Sequence, residues 1–151
     1  MKAWLDHVGI AVQDLAQALA FYQDVLGLHV EPPEDVASQR VRAHFMHLGA
    51  SSLELLEATA PDSAIAKFAE KRGPGLHHVA LRVEDIDAAL AHLGSRGVRL
   101  IDTVARPGAE GARVAFIHPS ATHGVLVELK EPAPAVPRFR TPARHTLGDL
   151  E

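Results

Sequence analysis

The chain has 151 residues and no cysteine. Disulfides, thiolate zinc sites and thiol nucleophiles are excluded together, so any metal must be held by nitrogen and oxygen. Aromatic residues are few. One Trp and one Tyr leave little surface for stacking a flat ligand. No apolar run reaches membrane-spanning length, and no membrane partner is expected. No basic stripe is present and the net charge is −4, which argues against nucleic acid as a partner. The opening Met1–Asp6 lacks the apolar core of a signal peptide, so a cytoplasmic protein is the expectation. What is present is ordinary globular material, 47% apolar and 23% charged, at the size of one compact unit. Histidine is the exception, with ten. His92, His123 and His145 read as solvent-facing.

The chain repeats itself. Asp6-His7-Val8-Gly9-Ile10-Ala11-Val12 has a second version in His77-His78-Val79-Ala80-Leu81-Arg82-Val83. Each leads through an acidic cap into an apolar helix. Each half later ends in an apolar strand with one carboxylate inside it, Ser52-Leu53-Glu54-Leu55-Leu56 and Leu126-Val127-Glu128-Leu129. His7 and His78 lie 71 positions apart, as do Phe45 and Phe116, while Glu54 and Glu128 lie 74 apart. A duplicated module is the reading, with halves at about 4–60 and 75–131.

Each half reads as strand, helix, then three strands. In the first, Leu5–Val12 alternates as a strand. Asp14 caps a helix with Leu15, Leu19, Tyr22, Val25 and Leu26 at helical spacing, closed by Gly27. Leu28–Val30 is predicted as a short strand stopped by Pro32-Pro33. Val41–Leu48 and Ser52–Ala58 form a hairpin. The second half repeats this with a strand at 76–83 and a helix from Ile86 to Arg96. A short strand at Val98–Ile101, a Gly/Pro loop over 106–111 and a hairpin of 113–118 with 124–130 complete it. Residues 61–73 read as a capped helix joining the halves. Residues 132–151 read as a Pro-rich tail, with Arg138, Arg140 and Arg144 solvated or docked on a partner subunit.

The recurring histidine and glutamate carry the chemistry. Alternate residues of a strand share a face, so His7 stands with Gly9 and Ala11, and His78 with Ala80 and Arg82. Glu54 and Glu128 lie inside apolar stretches. A buried ionised carboxylate costs several kcal/mol unless paired or bound to a cation. Two such carboxylates, each matched to a histidine in a duplicated module, predict a divalent metal site of His7, Glu54, His78 and Glu128. Nitrogen and oxygen donors with open positions suit Co, Ni, Zn or Mn. His77 is the rival to His78; the phase of Val8 and Val79 favours His78. Each ligand imidazole also needs a partner on its other nitrogen, which the sequence does not identify.

Over residues 4–131 these features resemble the vicinal oxygen chelate superfamily. The resemblance implies an α+β fold of two paired βαβββ modules forming an open mixed sheet around a metal cleft, with residues 1–131 as one domain. Two of its families carry a His/Glu (or Gln) quartet, glyoxalase I and methylmalonyl-CoA epimerase; the second ligand is glutamine in some relatives and here is Glu54. The stretches Pro61–Phe68, Lys71–His78, Gly111–Pro119 and Gly124–Leu129 are similar to the epimerases. Some epimerases carry a carboxylate just before the strand that corresponds to 41–46, proposed as a catalytic base. This chain has Ala37-Ser38-Gln39-Arg40 there, with Glu34, Asp35 and His44 nearby.

The resemblance implies an acyl-CoA substrate, one divalent ion with Co²⁺ favoured, and a homodimer. It implies interconversion of (2R)- and (2S)-methylmalonyl-CoA through an enolate stabilised by the metal. Glu128 is assigned as the first base and Glu54 as its partner on the opposite face. Lys67, Lys71, Arg72 and Arg113 are cations available to the CoA phosphates. Glyoxalase I chemistry, as a lactoylglutathione lyase, is the nearest alternative. A non-catalytic small-molecule-binding member of the fold is another, although four intact ligand positions speak against it. Extradiol cleavage needs a facial triad, and a fourth ligand counts against that.

Overall fold

The computed structural model describes residues 1–135. Arg138, Arg140 and Arg144 lie outside the described residues. Eight strands form one mixed sheet in the order β2-β3-β4-β1-β5-β8-β7-β6. They are β1 Ala3–Ala11, β2 Glu34–Val36, β3 Val41–Leu48, β4 Ser51–Ala58, β5 Gly75–Val83, β6 Arg106–Pro107, β7 Arg113–Ile117 and β8 Val127–Glu131. The order is two copies of one pattern joined at β1 and β5. β1 pairs parallel with β4, β5 pairs parallel with β8, and β1 meets β5 antiparallel. The modules therefore pair within one chain.

The sheet curls until its two edges nearly meet. The Ser38 hydroxyl donates to the carbonyl of Pro107 at 2.6 Å, and the backbone N–H of Glu110 donates to the Glu34 carboxylate. These bonds tie the loop after β2 to the neighbourhood of β6. The concave face is thereby partly enclosed.

Three helices follow from their caps. Asp14, Ser63 and Asp85 each accept from a backbone N–H three residues on, satisfying a donor that has no partner inside the helix. Helix α2, Ala64–Arg72, joins the modules and places Ile65 and Phe68 against the first core cluster. Helix α3, Ile86–Ser95, buries Ile86, Ala89 and Leu90 beside Ala115, Ile117 and Leu129.

Helix α1 departs from the predicted regular helix. It is α-helical over Leu15–Leu19 and π-helical over Ala20–Val25. The Leu26 N–H reaches back to Phe21 and the Leu28 N–H to Tyr22. Gly27, at φ +70, allows that reversal, one residue wider than the usual glycine-terminated helix end. None of its residues is fully buried, and Phe21, Val25 and Leu26 are exposed.

The two short strands were misplaced by the sequence pattern. Leu28–Val30 is not a strand; β2 forms after Pro32-Pro33, at Glu34–Val36. Val98–Ile101 makes only a single bridge, Leu100 to Ile117, and the strand lies at Arg106–Pro107. The reason is common to both. These are sheet edges, where pairing with β3 or β7 decides the position and the local apolar pattern does not.

Candidate metal centre

The four residues singled out by the repeat come from the four central strands. His7 is on β1, Glu54 on β4, His78 on β5 and Glu128 on β8. All are buried, none more than 5% exposed. Their polar atoms converge. The His7 and His78 Nε2 atoms are 3.0 Å apart. Glu54 Oε2 lies 2.9 Å from His7 Nε2 and 3.5 Å from His78 Nε2. Glu128 Oε2 lies 3.0 Å from His78 Nε2 and 3.8 Å from His7 Nε2. Ligand atoms at bonding distance around one small divalent ion stand about 3 Å apart. Two imidazole nitrogens and the Glu54 carboxylate at these separations could hold such an ion, with Glu128 adjoining His78. His7, Glu54 and His78 form the tightest group, each offering an atom within 4.8 Å of the others.

Phe45 and Phe116, the other repeated pair, complete the symmetry. Phe45 meets the His7 ring edge-on at 5.8 Å, and Phe116 meets His78 in the same way at 5.8 Å. Across the central pair, Gly9 stands opposite His78 and Ala80 opposite His7. Each imidazole has a small residue facing it.

The partners of the imidazoles sit at two β-bulges. Between β1 and β5 the register slips at Asp6 and again at His77. Each bulged residue immediately precedes a histidine of the quartet, and a bulge re-aims a side chain. Asp6 takes a hydrogen bond from His7 Nδ1 at 2.7 Å. It is held in turn by the buried Lys130, whose Nζ donates to the same oxygen at 2.9 Å. His77 Nδ1 lies 2.8 Å from His78 Nδ1. The two halves thus back their histidines differently, one with an anchored carboxylate and one with a second imidazole.

The electrostatics follow from this packing. Burial acts to discharge His7, but its hydrogen bonds to Asp6 and Glu54 outweigh it and raise its pKa to about 9. Burial opposes ionisation of Glu54 too, and the two histidines overcome it, holding it down to about 2. His78 is raised against burial by Glu128 and Glu54. Burial, reinforced by the nearby His78 charge, lowers His77 to about 4. His77 is then neutral near pH 7 and accepts the His78 Nδ1–H.

Two predictions arise here. A ligand imidazole must be neutral, so metal binding below pH 9 displaces at least one proton, from His7. Apparent affinity therefore rises with pH while His7 and His78 lose their protons, the His7 step lying at about pH 9. Calorimetric titration in two buffers of unlike ionisation enthalpy should show proton release at pH 7 that fades above pH 9. Separately, Asp6→Asn removes the carboxylate that orients His7. Metal affinity should fall about tenfold or more, read by competition with a chromogenic chelator at pH 8. Unchanged affinity would show that Asp6 serves packing alone.

His7, Glu54 and Glu128 line a small cavity of about 10 Å³, while a cleft on the His78 side has two adjoining parts. One, of about 280 Å³, is lined by Gln39, Arg40, His78, Arg106 and Phe116. The other, of about 760 Å³, is lined by Lys67, Lys71, Arg72, Leu76 and Val125. His77 and His78 border both. Arg113 is not there; it pairs with Asp87 and Glu131 on the surface. Nor does any nearby carboxylate replace the absent one before β3. Glu34 accepts from Glu110, and Asp35 pairs with Arg42. His44 points away from the quartet, because its neighbour Phe45 is the residue that faces His7.

Sequence reasoning missed Asp6, His77, Lys130 and Arg106. A signal did exist for the first two, since a polar residue precedes the histidine in both repeats. None existed for Lys130 or Arg106, which reach the site only through the curl of the sheet.

Comparison with known proteins bears on this site. Residues 6–116 match the family model of the Glyoxalase/Bleomycin resistance protein/Dioxygenase superfamily. The chain is 45% identical over 128 residues to the uncharacterized protein YqjC of Bacillus subtilis, covering 85% of this chain and 91% of that one. It is 41% identical over 128 residues to the mitochondrial methylmalonyl-CoA epimerase of Bos taurus, covering 84% and 73%. A solved methylmalonyl-CoA epimerase in complex with methylmalonyl-CoA and NH4+ superposes with a TM-score of 0.81 at 40% identity, covering 85% of this chain and 94% of that one. With this repeat, this sheet order and this quartet, the chain belongs to the glyoxalase superfamily and, within it, to the methylmalonyl-CoA epimerase family.

Proposed function

We propose that this enzyme interconverts (2R)- and (2S)-methylmalonyl-CoA by moving the α-proton at the His7, Glu54, His78 and Glu128 quartet. One observation carries the reading. Two imidazoles and two carboxylates, one from each central strand, converge, and one of them, His78, borders a cleft with a basic rim. The epimerase relatives support the choice of substrate.

The reaction removes a weakly acidic C–H proton and returns it to the other face. His7, Glu54, His78 and Glu128 would hold a divalent cation, which would supply Lewis-acid stabilisation of developing negative charge. Co²⁺ is favoured by resemblance; the donor set also accepts Ni²⁺, Zn²⁺ or Mn²⁺. Glu128 takes the proton from one face and Glu54 acts on the other. Asp6 and Lys130 keep the His7 ring oriented. Leu56, Ile65 and Phe116 wall the cleft and keep water from the reacting carbon. The CoA arm lies along the larger part of the cleft, with its phosphates near Lys67, Lys71 and Arg72. Residues 1–131 act as one unit, and the assembly is a homodimer by analogy with the family.

The test is proton NMR of methylmalonyl-CoA in D₂O with metal-loaded protein. Rapid loss of the C2 proton, abolished by a chelator and restored by added Co²⁺, is expected. Absence of exchange with a fully metallated protein overturns the reading and favours hemithioacetal chemistry or simple binding.

A further inference from the structure

The smaller part of the cleft holds two arginines, and they differ. Arg40 is paired with Asp62. Arg106 forms a looser ion pair with Asp102. Its Nε is buried without a hydrogen-bond partner. The Asp102 Oδ1 atom lies 3.4 Å from it, outside good bonding geometry, and the other Asp102 oxygen accepts from the Phe116 N–H at 2.8 Å. The side chain as a whole is 37% exposed, so the rest of the guanidinium stays open.

Arg106 is also placed close to the chemistry. Its guanidinium carbon stands 5.6 Å from the centre of the Phe116 ring. The same ring packs edge-on against His78. Arg106 and a member of the quartet therefore flank one aromatic side chain at one wall of the cavity. The main chain fixes this position. Arg106 is in β6, paired with Val114, and Pro107 beside it is tied to Ser38 across the closing seam.

We infer that Arg106 binds the free carboxylate of the substrate's acyl group and so selects carboxylated acyl-CoA thioesters over plain ones. This rests on the acyl-CoA reading above. A guanidinium presents a planar fork of donors that matches a carboxylate. Beside the apolar wall of Phe116 such a pair is stronger than in water. A substrate lacking the carboxylate leaves the open donors of Arg106 without a partner, and that is how a polar site rejects a ligand. In this role Arg106 contacts the substrate without taking or giving a proton.

The experiment compares two thioesters on the metal-loaded protein by calorimetry. Malonyl-CoA carries the carboxylate and propionyl-CoA lacks it. Arg106→Leu should weaken malonyl-CoA binding about tenfold to a hundredfold, the range expected for a charge-assisted hydrogen bond. Propionyl-CoA binding should stay unchanged, and Arg106→Lys should recover part of the malonyl-CoA affinity. Equal losses for both thioesters would assign Arg106 to packing and overturn the inference. So would no loss for either. A wild-type protein that exchanges the C2 proton yet binds both thioesters equally overturns the inference alone. A wild-type protein that binds neither overturns it together with the epimerase reading.

Discussion

Replacing Glu128 by Gln should separate proton exchange from inversion. The amide keeps an oxygen that can face a cation but cannot act as a base. Losing a positioned general base typically costs a factor of about 10² to 10⁴. The epimer whose proton faces Glu128 should therefore become nearly inert. The epimer facing Glu54 should still lose its proton to D₂O, but without inversion, because nothing returns a proton on the other face. Glu54→Gln should give the mirror-image pattern. Both are read by NMR wash-out from each epimer separately, with metal content measured on the same samples. Full exchange of both epimers by metal-replete Glu128→Gln protein would sink the assignment. Loss of the metal would show that the charge of Glu128, and not merely an oxygen, is needed to hold the ion.

The second large effect is expected at a residue with no side chain. Gly9 lies opposite His78 in the antiparallel pair of β1 and β5. A Cβ there would stand 2.2 Å from Cε1, 2.4 Å from Nδ1 and 2.8 Å from Nε2 of the His78 ring. These distances are far inside contact. The ring cannot slide away freely, since it is packed by Phe116 and bonded to His77 and Glu128. Gly9→Ala must displace the imidazole or spread the two strands. Overpacking of this kind costs about 1–3 kcal/mol in stability. A displacement of about 1 Å at a reacting centre costs about a hundredfold in rate. Thermal unfolding of the ion-free protein reads the first effect, and the exchange rate reads the second. An unperturbed variant on both counts would mean that Gly9 is small only because the sheet is flat there. The equivalent position opposite His7 is Ala80, which already tolerates a methyl group, so Ala80→Gly should be mild.

Much of this protein was legible along the chain, for a physical reason in each case. The duplication showed as recurring strand phrases, and a repeated module must place equivalent residues equivalently. The long central strands showed because alternation over eight residues is a strong signal, and β3 runs over Val41–Leu48 as the pattern predicted. The caps at Asp14 and Asp85 showed because capping is local chemistry. The quartet showed because a lone carboxylate inside an apolar strand demands a partner.

Tertiary structure decided the rest, and each case involves atoms distant in sequence or register. Edge strands β2 and β6 form where β3 and β7 offer free backbone groups, so no local pattern marks them. The π-helical turn of α1 depends on how the chain reverses at Gly27. That the two modules pair within one chain follows from β1 lying against β5. The supports of the two histidines depend on bulges at Asp6 and His77, and a bulge is a property of pairing. Lys130 reaches Asp6 across 124 residues of sequence, and Arg106 reaches the cleft because the sheet curls until Pro107 meets Ser38. The sequence by itself determined which side chains the fold brings together at its centre, because residue type and repeat period are written in it. Only the folded sheet decided what stands behind each of them, because neighbours across strands are set by register and curvature.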